Sequence, residues 1–321
     1  MKNILITGGA GFIGSNLTKN LLADPGIRVT IVDNFDDYYH PEYKRKNISG
    51  LLRNNNLRLV EADIRCIEEA EIELKDNYDT VIHLAAKVSV RPSIVYPAVY
   101  EDVNVTGTQK ILDFAVKRKI PSFVFASSSS VYGVNPDVPW KEGANLVPIS
   151  PYASTKLAGE QLGHLASQFH SIKFVALRFF TVYGPAQRPD LAIHKFFRAI
   201  LDNKPITVFG NGNTMRDYTY VGDIVQGIEA AMHYDKSNFE IFNLGNHVPV
   251  KLIELIALIE EVCGKKANIE YLPEQPGEVP QTYADISKAE NLLGYHPATD
   301  LKTGLHKFYK WLKVQDETVS V

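Results

Sequence analysis

The chain has 321 residues, of which 45% are hydrophobic and 22% are charged, and its formal net charge is −3. This composition is ordinary for a globular protein with a sizeable buried core, and the small net charge gives no reason to expect nucleic acid as a partner. No apolar run approaches the roughly 18 to 20 residues of a membrane helix, so no membrane partner is expected. Without a secretion signal, the two distant cysteines predict reduced thiols in a cytoplasmic protein, and the histidines show no metal-ligand spacing, so no metal is expected.

Short apolar runs alternate with amphipathic stretches through the first 180 residues. The runs that predict strands are residues 4–6, 29–32, 57–61, 80–84, 123–125 and 174–179. The stretches that predict helices are residues 12–22, 103–117 and 152–169. Strands that are apolar throughout and alternate with helices indicate a parallel sheet covered on both faces. The sequence therefore predicts an α/β fold with a doubly wound parallel sheet of the Rossmann type.

After residue 180 the pattern becomes mixed. Helices are predicted at residues 195–201, 221–232 and 252–262 and near residues 287 and 301, and strands at residues 206–209, 240–244 and 269–272. This part predicts a smaller substrate-binding domain at the carboxyl ends of the first sheet. We expect residues 1–180 to form a dinucleotide-binding domain to which residues 222–247 return, and residues 181–321 to form mainly the substrate domain.

A glycine-rich segment lies between the first predicted strand and the first predicted helix. Gly8, Gly11 and Gly14 allow a tight turn and a close backbone approach, and the helix N-terminus with Phe12 and Ile13 then faces a pyrophosphate. The spacing is Gly-x-x-Gly-x-x-Gly, and a plain tight turn is the alternative. The order strand, turn and helix favours a dinucleotide.

The ends of the next three strands carry further candidates for cofactor contacts. Asp33 ends the second strand, where a carboxylate accepts from the adenosine ribose and repels a 2′-phosphate; with Asn34 next to it, this favours NAD over NADP. A solvated loop acid is the alternative for Asp33. Asp63 and Ile64 could border the adenine, although a strand-end cap explains Asp63 nearly as well. The fourth strand ends in small or apolar residues and a lysine that either contacts the cofactor or stays solvated: Leu84, Ala85, Ala86 and Lys87.

Tyr152 and Lys156 lie four residues apart in a predicted helix, so their side chains share one face. A tyrosine is a poor base near neutral pH because its pKa is about 10. A neighbouring ammonium favours the phenolate and lowers that pKa, which makes the phenol a usable proton acceptor for a hydroxyl. Such pairs occur by chance in many helices, but this one follows a run of four serines at residues 127–130 and the glycine-rich turn.

Together these motifs resemble the extended short-chain dehydrogenase/reductase family, and in particular its nucleotide-sugar epimerases. The resemblance is carried by TGGAGFIG at 7–14, DNF at 33–35, HLAA at 83–86, NVTGT at 104–108, SSSSVYG at 127–133, SPYASTK at 150–156, RDYTYVGDIV at 216–225 and Pro-Gly-Glu at 276–278. It implies NAD as cofactor, a UDP-sugar as substrate, and a homodimer formed by the helices at 103–117 and 152–169. It also implies that Tyr152 is the base, that Ser128 assists it, and that Lys156 holds the nicotinamide ribose. Asn104 is implied as a cofactor-binding residue that is as much structural as functional.

Several reactions of the family share a 4-keto intermediate, and the residues after Ser128 distinguish them. Dehydratases of the family carry an Asp-Glu pair just after the catalytic hydroxyl residue, and decarboxylases of UDP-glucuronate carry a glutamate directly before Val-Tyr-Gly. Ser129 and Ser130 stand at these positions, so the resemblance implies epimerisation at C4. The alternatives from other classes are a non-catalytic NAD-binding regulator, against which the intact Ser, Tyr and Lys set argues, and a reductase that releases its cofactor.

The segment from Thr181 to Asp190 resembles UDP-glucuronate 4-epimerases more than UDP-galactose 4-epimerases, which usually have asparagine where Thr181 stands. The implied reaction converts UDP-glucuronate to UDP-galacturonate, with a UDP-glucose or UDP-N-acetylglucosamine 4-epimerase as the alternative. The hydroxyls of Ser129, Ser130 and Thr181 could hold the uronate carboxylate. The other implied substrate contacts are Arg216 at the pyrophosphate, Glu278 at the uridine ribose, and Arg91 and Arg188 near the sugar or the phosphates, with a surface salt bridge as the alternative for the last two.

Overall fold

The computed structural model describes residues 1–273 and 279–319. Its strands are β1 (Lys2–Thr7), β2 (Ile27–Asp33), β3 (Leu57–Glu61), β4 (Thr80–His83), β5 (Ser122–Ser128), β6 (Lys173–Phe179), β7 (Thr181–Tyr183), β8 (Pro205–Phe209), β9 (Met215–Tyr220), β10 (Phe239–Leu244), β11 (Pro249–Lys251) and β12 (Asn268–Leu272). Its α-helices are α1 (Phe12–Leu21), α2 (Pro41–Ser49), α3 (Val90–Val95), α4 (Pro97–Glu101), α5 (Gly107–Lys117), α6 (Pro151–His170), α7 (Ala192–Leu201), α8 (Val221–Met232), α9 (Leu252–Cys263), α10 (Ser287–Leu293) and α11 (Leu301–Val319). Short 3-10 segments cover Ile64–Ala70 and Ser129–Tyr132, and a π-helical segment, Asp102–Thr106, leads into α5.

The central sheet has seven parallel strands in the order β10-β6-β5-β4-β1-β2-β3. The chain runs outward from β1 to β3 and then, in the other direction, from β4 to β10. The strand order therefore reverses between β1 and β4, which is where ligands bind in such sheets. Both faces are covered by helices, so that residues 4–6 of β1 are fully buried. The predicted Rossmann-type fold is confirmed.

Two smaller sheets follow the carboxyl end of β6. One has the order β11-β9-β7 and the other pairs β12 with β8 in parallel. The sequence pattern does not predict β7, β9 or β11, because these strands are short or carry polar residues within them. Strand β10 lies beside β6 in the central sheet, so the chain enters the smaller part and then returns.

The apolar residues form three buried clusters. One lies between the central sheet and α1 and α8, and a second lies on the other face under α5 and α6. The third belongs to the smaller part and is covered by α7, α9 and α11. None of the helices in the described residues is long and apolar enough to span a membrane.

Helix α6 lies unusually close to the central sheet. A Cβ on Gly163 would lie 2.0 Å from the ring of Phe174, and one on Gly159 would lie 2.3 Å from the ring of Phe125. These two glycines face β5 and β6, and any larger residue would push the helix away from the strands. The close packing fixes the height of the first turn of α6 above the carboxyl ends of the strands.

Candidate active site

A cavity at the carboxyl ends of β1 to β4 contains most of the residues that the sequence predicts for a dinucleotide. The predicted residues on its wall are Gly8, Gly11, Phe12, Ile13, Gly14, Asp33, Asn34, Asp63, Ile64, Leu84, Ala85, Ala86, Lys87, Tyr152 and Lys156. Because the glycine-rich turn and the Tyr152–Lys156 pair line the same cavity, we call it the cofactor cavity. Among residues 1–273 and 279–319, no three His, Cys, Asp or Glu side chains are grouped so as to bind a metal ion.

The turn between β1 and α1 has the shape that a pyrophosphate requires. Gly8 has a φ of +70°, and a Cβ on it would lie 2.7 Å from the backbone nitrogen of Ala85. A Cβ on Gly14 would lie 2.3 Å from the carbonyl oxygen of Gly8. The first turn of α1, which is described in full, has no acidic residue, so its amides and the positive end of the helix dipole favour an anion. The residues present therefore fit a dinucleotide.

Asp33 is a buried acid held by backbone amides, not a solvated one. Its Oδ2 accepts from the amide of Ala10 at 3.1 Å and its Oδ1 from the amide of Phe35 at 2.9 Å. Burial raises the pKa of Asp33, while the charge of Lys44, 3.8 Å away, acts in the opposite direction. Since each carboxylate oxygen has two lone pairs, Asp33 retains the capacity to accept from a ribose hydroxyl.

Asp63 both caps a 3-10 segment and lines the cavity. Its Oδ1 accepts from the backbone amide of Arg65 at 2.9 Å, and the guanidinium of Arg65 donates to both carboxylate oxygens. Asn34 donates to Oδ2 at 2.9 Å. The hydrogen bonds from Arg65 lower the pKa of Asp63 to about 2. Sequence reasoning missed Arg65, although an arginine two residues after a capping aspartate is a spacing that allows this contact.

The side chains of Lys87 and Asn104 both have partners within the chain. The Nζ of Lys87 donates to both oxygens of Asp36, at 2.8 and 2.7 Å. The side chain of Asn104 accepts from the Lys87 amide at 2.7 Å and donates to the Lys87 carbonyl and to the hydroxyl of Thr155. Asn104 is 3% exposed and, unlike the other predicted cofactor residues, does not contribute to the cavity wall. The geometry favours its structural interpretation, since it ties the segment after β4 to α6.

The first turn of α6 brings together the three residues predicted for proton transfer. The side chain of Ser150 caps the helix by accepting from a first-turn amide at 3.2 Å. The phenol of Tyr152 hydrogen-bonds with the hydroxyl of Ser128. The Nζ of Lys156 donates to the carbonyl of Ala126 at 2.7 Å and lies 6.0 Å from the centre of the Tyr152 ring. The structure therefore assembles Ser128, Tyr152 and Lys156 at one end of the cofactor cavity.

Burial changes the pKa values of both Tyr152 and Lys156. Burial raises the pKa of Tyr152, while the hydrogen bond with Ser128 and the charge of Arg188 act in the opposite direction. Burial lowers the pKa of Lys156 to about 7. The expectation that the Lys156 ammonium lowers the pKa of Tyr152 stays a prediction, because burial also makes the charged form of the lysine less favourable in this site.

A second cavity adjoins the first, and Tyr38 lines both. It has a volume of about 510 Å³, and its wall includes Ser129, Ser130 and Thr181. The hydroxyl of Ser130 also donates to the hydroxyl of Ser128 at 2.9 Å. The three predicted carboxylate contacts therefore share one cavity, which we call the sugar cavity, and one of them bonds directly to Ser128.

Charged side chains also line the sugar cavity. Arg91 and Arg216, both predicted, lie there with Lys195, which sequence reasoning missed. The guanidinium of Arg91 lies 4.7 Å over the ring of Phe209. Other wall residues that the sequence did not reveal are Tyr38, Trp140, Asp190 and Thr282. Glu278 lies outside the described residues.

Arg188 lines the cofactor cavity and not the sugar cavity. Its guanidinium donates to both oxygens of Asp190, at 2.9 and 2.8 Å, and to the hydroxyl of Ser89 at 3.1 Å. It also lies 5.5 Å over the ring of Tyr38. The ion pair that was the alternative for Arg188 is present, but only 14% of the arginine side chain is exposed. Arg188 therefore closes the boundary between the two cavities.

The chain is similar, in sequence and in structure, to known nucleotide-sugar epimerases. The profile of the NAD dependent epimerase/dehydratase family matches residues 4–245. A UDP-glucuronate 4-epimerase of Thermodesulfobacterium geofontis is 38% identical, over 98% of this chain and 97% of its own. The crystal structure of a Bacillus cereus UDP-glucuronic acid 4-epimerase with UDP-glucuronic acid and NAD is 38% identical, covers 98% and 99% of the two chains, and has a TM-score of 0.91. A Thermotoga maritima UDP-glucose 4-epimerase with UDP-glucose is 31% identical, covers 98% and 99%, and has a TM-score of 0.89.

The chain belongs to the NAD dependent epimerase/dehydratase family. The match spans the central sheet, the glycine-rich turn and the Tyr152–Lys156 pair. The family resemblance read from the sequence motifs is confirmed, and the family's dependence on NAD agrees with the predicted cofactor.

Proposed function

We propose that the chain is an NAD-dependent UDP-sugar 4-epimerase that interconverts UDP-glucuronate and UDP-galacturonate. The observation that carries the proposal is that two cavities adjoin at Tyr38, with Tyr152 on the wall of one and Ser129 and Ser130, which follow Ser128, on the wall of the other. The cofactor cavity has the glycine-rich turn at one end and Tyr152 with Lys156 at the other. The sugar cavity, which begins beside Ser128, combines neutral hydroxyls with cationic side chains.

Proton transfer at C4 is the task of Tyr152. Its phenol accepts the proton of the C4 hydroxyl and later returns it, and the chain of hydroxyls from Ser130 through Ser128 supports the phenolate by hydrogen bonding. Lys156, with a pKa of about 7, exchanges a proton readily near neutral pH. NAD⁺, when bound, accepts the C4 hydride and returns it, so the net redox change is zero. Between the two transfers the 4-keto sugar turns about its pyrophosphate linkage and presents its other face.

The sugar cavity suits both charged parts of a UDP-uronate. The diphosphate matches the cations Arg91, Lys195 and Arg216, which line the cavity. The carboxylate matches the neutral hydroxyls of Ser130 and Thr181, with Ser129 beside them. A 4-keto uronate is a β-keto acid, which loses carbon dioxide most readily when the carboxylate bond stands perpendicular to the ring carbonyl. Hydroxyls that hold the carboxylate in the ring plane suppress this loss.

We also infer the domain roles and a homodimer. Residues 1–180 with 222–247 would bind NAD, and the remainder of the chain after residue 180 would bind mainly the UDP-sugar. Apolar side chains on α6, with Leu165 50% and Phe169 76% exposed, support a partner copy packed on α5 and α6. Light scattering tests the homodimer. We expect the mass of a dimer for the wild type and a monomer for Phe169→Glu, and the mass of a monomer for the wild type would exclude the dimer.

The substrate is tested by incubating the protein with UDP-glucuronate, UDP-glucose and their N-acetyl forms and resolving the products by NMR. We expect UDP-galacturonate to form from UDP-glucuronate, with NAD co-purifying and no accumulation of NADH absorbance. Tyr152→Phe should bind the sugar nucleotide but turn it over orders of magnitude more slowly, since the general base is lost. Turnover of UDP-glucose but not of UDP-glucuronate would contradict the proposed substrate. Accumulation of NADH would indicate a reductase that releases its cofactor, and no turnover of any sugar nucleotide would favour a non-catalytic regulator.

Control of the carboxylate is tested by the product ratio. Thr181→Val and Ser130→Glu should raise the fraction of UDP-pentose by-product from UDP-glucuronate. Thr181→Ser, which keeps the hydroxyl, is the matched control and should retain the wild-type ratio. Equal by-product in Thr181→Val and Thr181→Ser would contradict the assigned role of the hydroxyl.

A further inference from the structure

A buried ion pair lies beside the active site, between α6 and β6. The Nε and Nη2 of Arg178 donate to the two carboxylate oxygens of Glu160, at 2.9 and 2.8 Å. The two side chains are 1% and 3% exposed. Taking both charges out of water is costly, and apolar residues of similar volume often serve a fold as well or better. The ion pair therefore need not stabilise the fold, and its further hydrogen bonds show which groups it holds in place.

One arm of the pair reaches the hydroxyl that assists Tyr152. Glu160 lies one helical turn beyond Lys156 on α6, and its Oε1 accepts from the hydroxyl of Ser127. In the central sheet Ser127 stands directly opposite Arg178, so both members of the pair border it. The next residue is Ser128, which hydrogen-bonds with Tyr152. Glu160 thus connects the end of β5 to the helix that carries Tyr152.

The other arm reaches the wall of the sugar cavity. The Nη1 of Arg178 donates to the hydroxyl of Tyr132 at 2.9 Å, and that hydroxyl donates to the side chain of Asn243 at 2.7 Å. The Tyr132 ring stacks on Trp140 with 5.0 Å between centroids, and Asn243 donates to the Trp140 carbonyl at 2.8 Å. Trp140 lines the sugar cavity. Trp140 in the wall of the sugar cavity is therefore connected to Arg178 through the buried side chains of Tyr132 and Asn243.

We propose that Glu160 and Arg178 are positioning residues, which hold Ser128 against Tyr152 through Ser127 and hold the Trp140 wall through Tyr132. The inference rests on the proposed function only in so far as Tyr152 is the base. Backbone hydrogen bonds within the sheet fix the register of β5 against its neighbours. They do not fix how the Ser128 hydroxyl is oriented toward the phenol of Tyr152, which lies on α6. The bond from Ser127 to a carboxylate on α6 sets that relation, because it joins the neighbour of one residue to the helix of the other.

Ser127→Ala tests the first arm, because it removes one hydroxyl and leaves the ion pair intact. On whichever UDP-sugar is turned over, we expect kcat to fall by about tenfold to 100-fold with little change in KM. The acidic limb of the kcat profile should move to higher pH, because a displaced Ser128 supports the phenolate less. The matched control is Ser167→Ala. Ser167 is buried like Ser127 but lies on α6, where its hydroxyl donates to the Asn238 carbonyl at 2.8 Å. A wild-type kcat and acidic limb in Ser127→Ala would overturn this arm, as would equal effects of the two substitutions.

The second arm is tested without substrate, through the fluorescence of Trp140. The chain has two tryptophans, so Trp140 is the single tryptophan in a Trp311→Phe background and is excited at the red edge, where tyrosine does not absorb. In that background we expect Tyr132→Phe to increase quenching of Trp140 by acrylamide at least twofold, while Ser167→Ala leaves it unchanged. Unchanged quenching in Tyr132→Phe would overturn the second arm. Because this measurement needs no turnover, its result stands even if no UDP-sugar proves to be a substrate.

Discussion

Replacing Lys156 by methionine removes a cation that the fold buries in the active site. The residue is 4% exposed, and its Nζ donates to the carbonyl oxygen of Ala126 at 2.7 Å. Burial lowers the pKa of Lys156 from 10.5 to about 7. A carbonyl group provides only part of the solvation that water gives an ammonium, so the folded protein releases the proton at a pH where the unfolded chain keeps it.

The sign and size of the effect follow from proton linkage. Between about pH 7 and 10.5 the unfolded state binds more protons at this site, so the free energy of unfolding rises with pH. The cost of burying the charged form is complete below pH 7, where both states are protonated, and is lost as the pH approaches 10.5. At about 1.4 kcal/mol for each unit between the two pKa values, the full cost is about 5 kcal/mol. Between about pH 6 and pH 9, about 2 to 3 kcal/mol of that cost disappears.

The measurement is urea unfolding of the NAD-free wild type and of Lys156→Met at about pH 6 and pH 9. We expect the advantage of Lys156→Met over the wild type to shrink by about 2 to 3 kcal/mol from the lower to the higher pH. Lys19→Met, at an exposed position in α1, is the matched control for the loss of a lysine. A difference that is the same at both pH values would refute the reasoning. It would also favour the expectation that an ordinary Lys156 ammonium lowers the pKa of Tyr152.

Two further substitutions test the packing of α6 and the rim of the cofactor cavity. Gly163→Ala places a Cβ 2.0 Å from the Phe174 ring, and calorimetry should show that the free energy of unfolding falls by about 1 to 3 kcal/mol. Gly50→Ala, which has nothing within 4 Å of its Cβ, is the control and should stay near wild type. Equal losses of stability in the two variants would contradict the close packing. Lys87→Ala breaks the pair with Asp36, so we expect bound NAD to be lost faster on dialysis. The charge-reversed pair Asp36→Lys with Lys87→Asp should restore retention, and wild-type retention in Lys87→Ala would count against the pair.

The central sheet could be predicted because each of its strands is a local apolar run. In residues 4–7 of β1 and throughout β4 every side chain is buried under helices on both faces, and burial on both faces is what a continuous apolar run indicates. The glycine-rich turn is equally local, since Gly8 and Gly14 meet within seven residues. Such features depend on neighbours in sequence, and no tertiary information is needed to see them.

The sheet of β7, β9 and β11 could not be predicted, because its middle strand β9 carries buried polar residues whose partners are distant in sequence. Asp217 lies in β9 and is fully buried. Its carboxylate accepts from the backbone amides of Asn246, His247 and Ala284. A run that contains an arginine and an aspartate lacks the strand pattern, and only the fold supplies the donors that make the carboxylate acceptable.

The same limit applies to the site. The family resemblance placed Ser128 beside Tyr152, and in the structure Ser128 ends β5 and hydrogen-bonds with Tyr152 in the first turn of α6. The partners that set their environment came from elsewhere. Arg178 finds Glu160 only through the packing of α6 on β6, and Lys87 finds Asp36 only where the ends of β2 and β4 approach each other.

The position of Ser130 makes Thr181→Val a better test of a uronate substrate than Ser130→Glu. Its hydroxyl donates to Ser128 as well as lining the sugar cavity, so Ser130→Glu alters proton transfer and the surroundings of the carboxylate together. Thr181 lines the same cavity from β7, and the hydroxyl chain from Ser130 to Tyr152 does not pass through it. A change in product ratio without a matching fall in the rate of C4 oxidation is therefore expected from Thr181→Val and not from Ser130→Glu. The product ratio of the threonine variant, measured against Thr181→Ser, is for this reason the sharper test of a uronate in the sugar cavity.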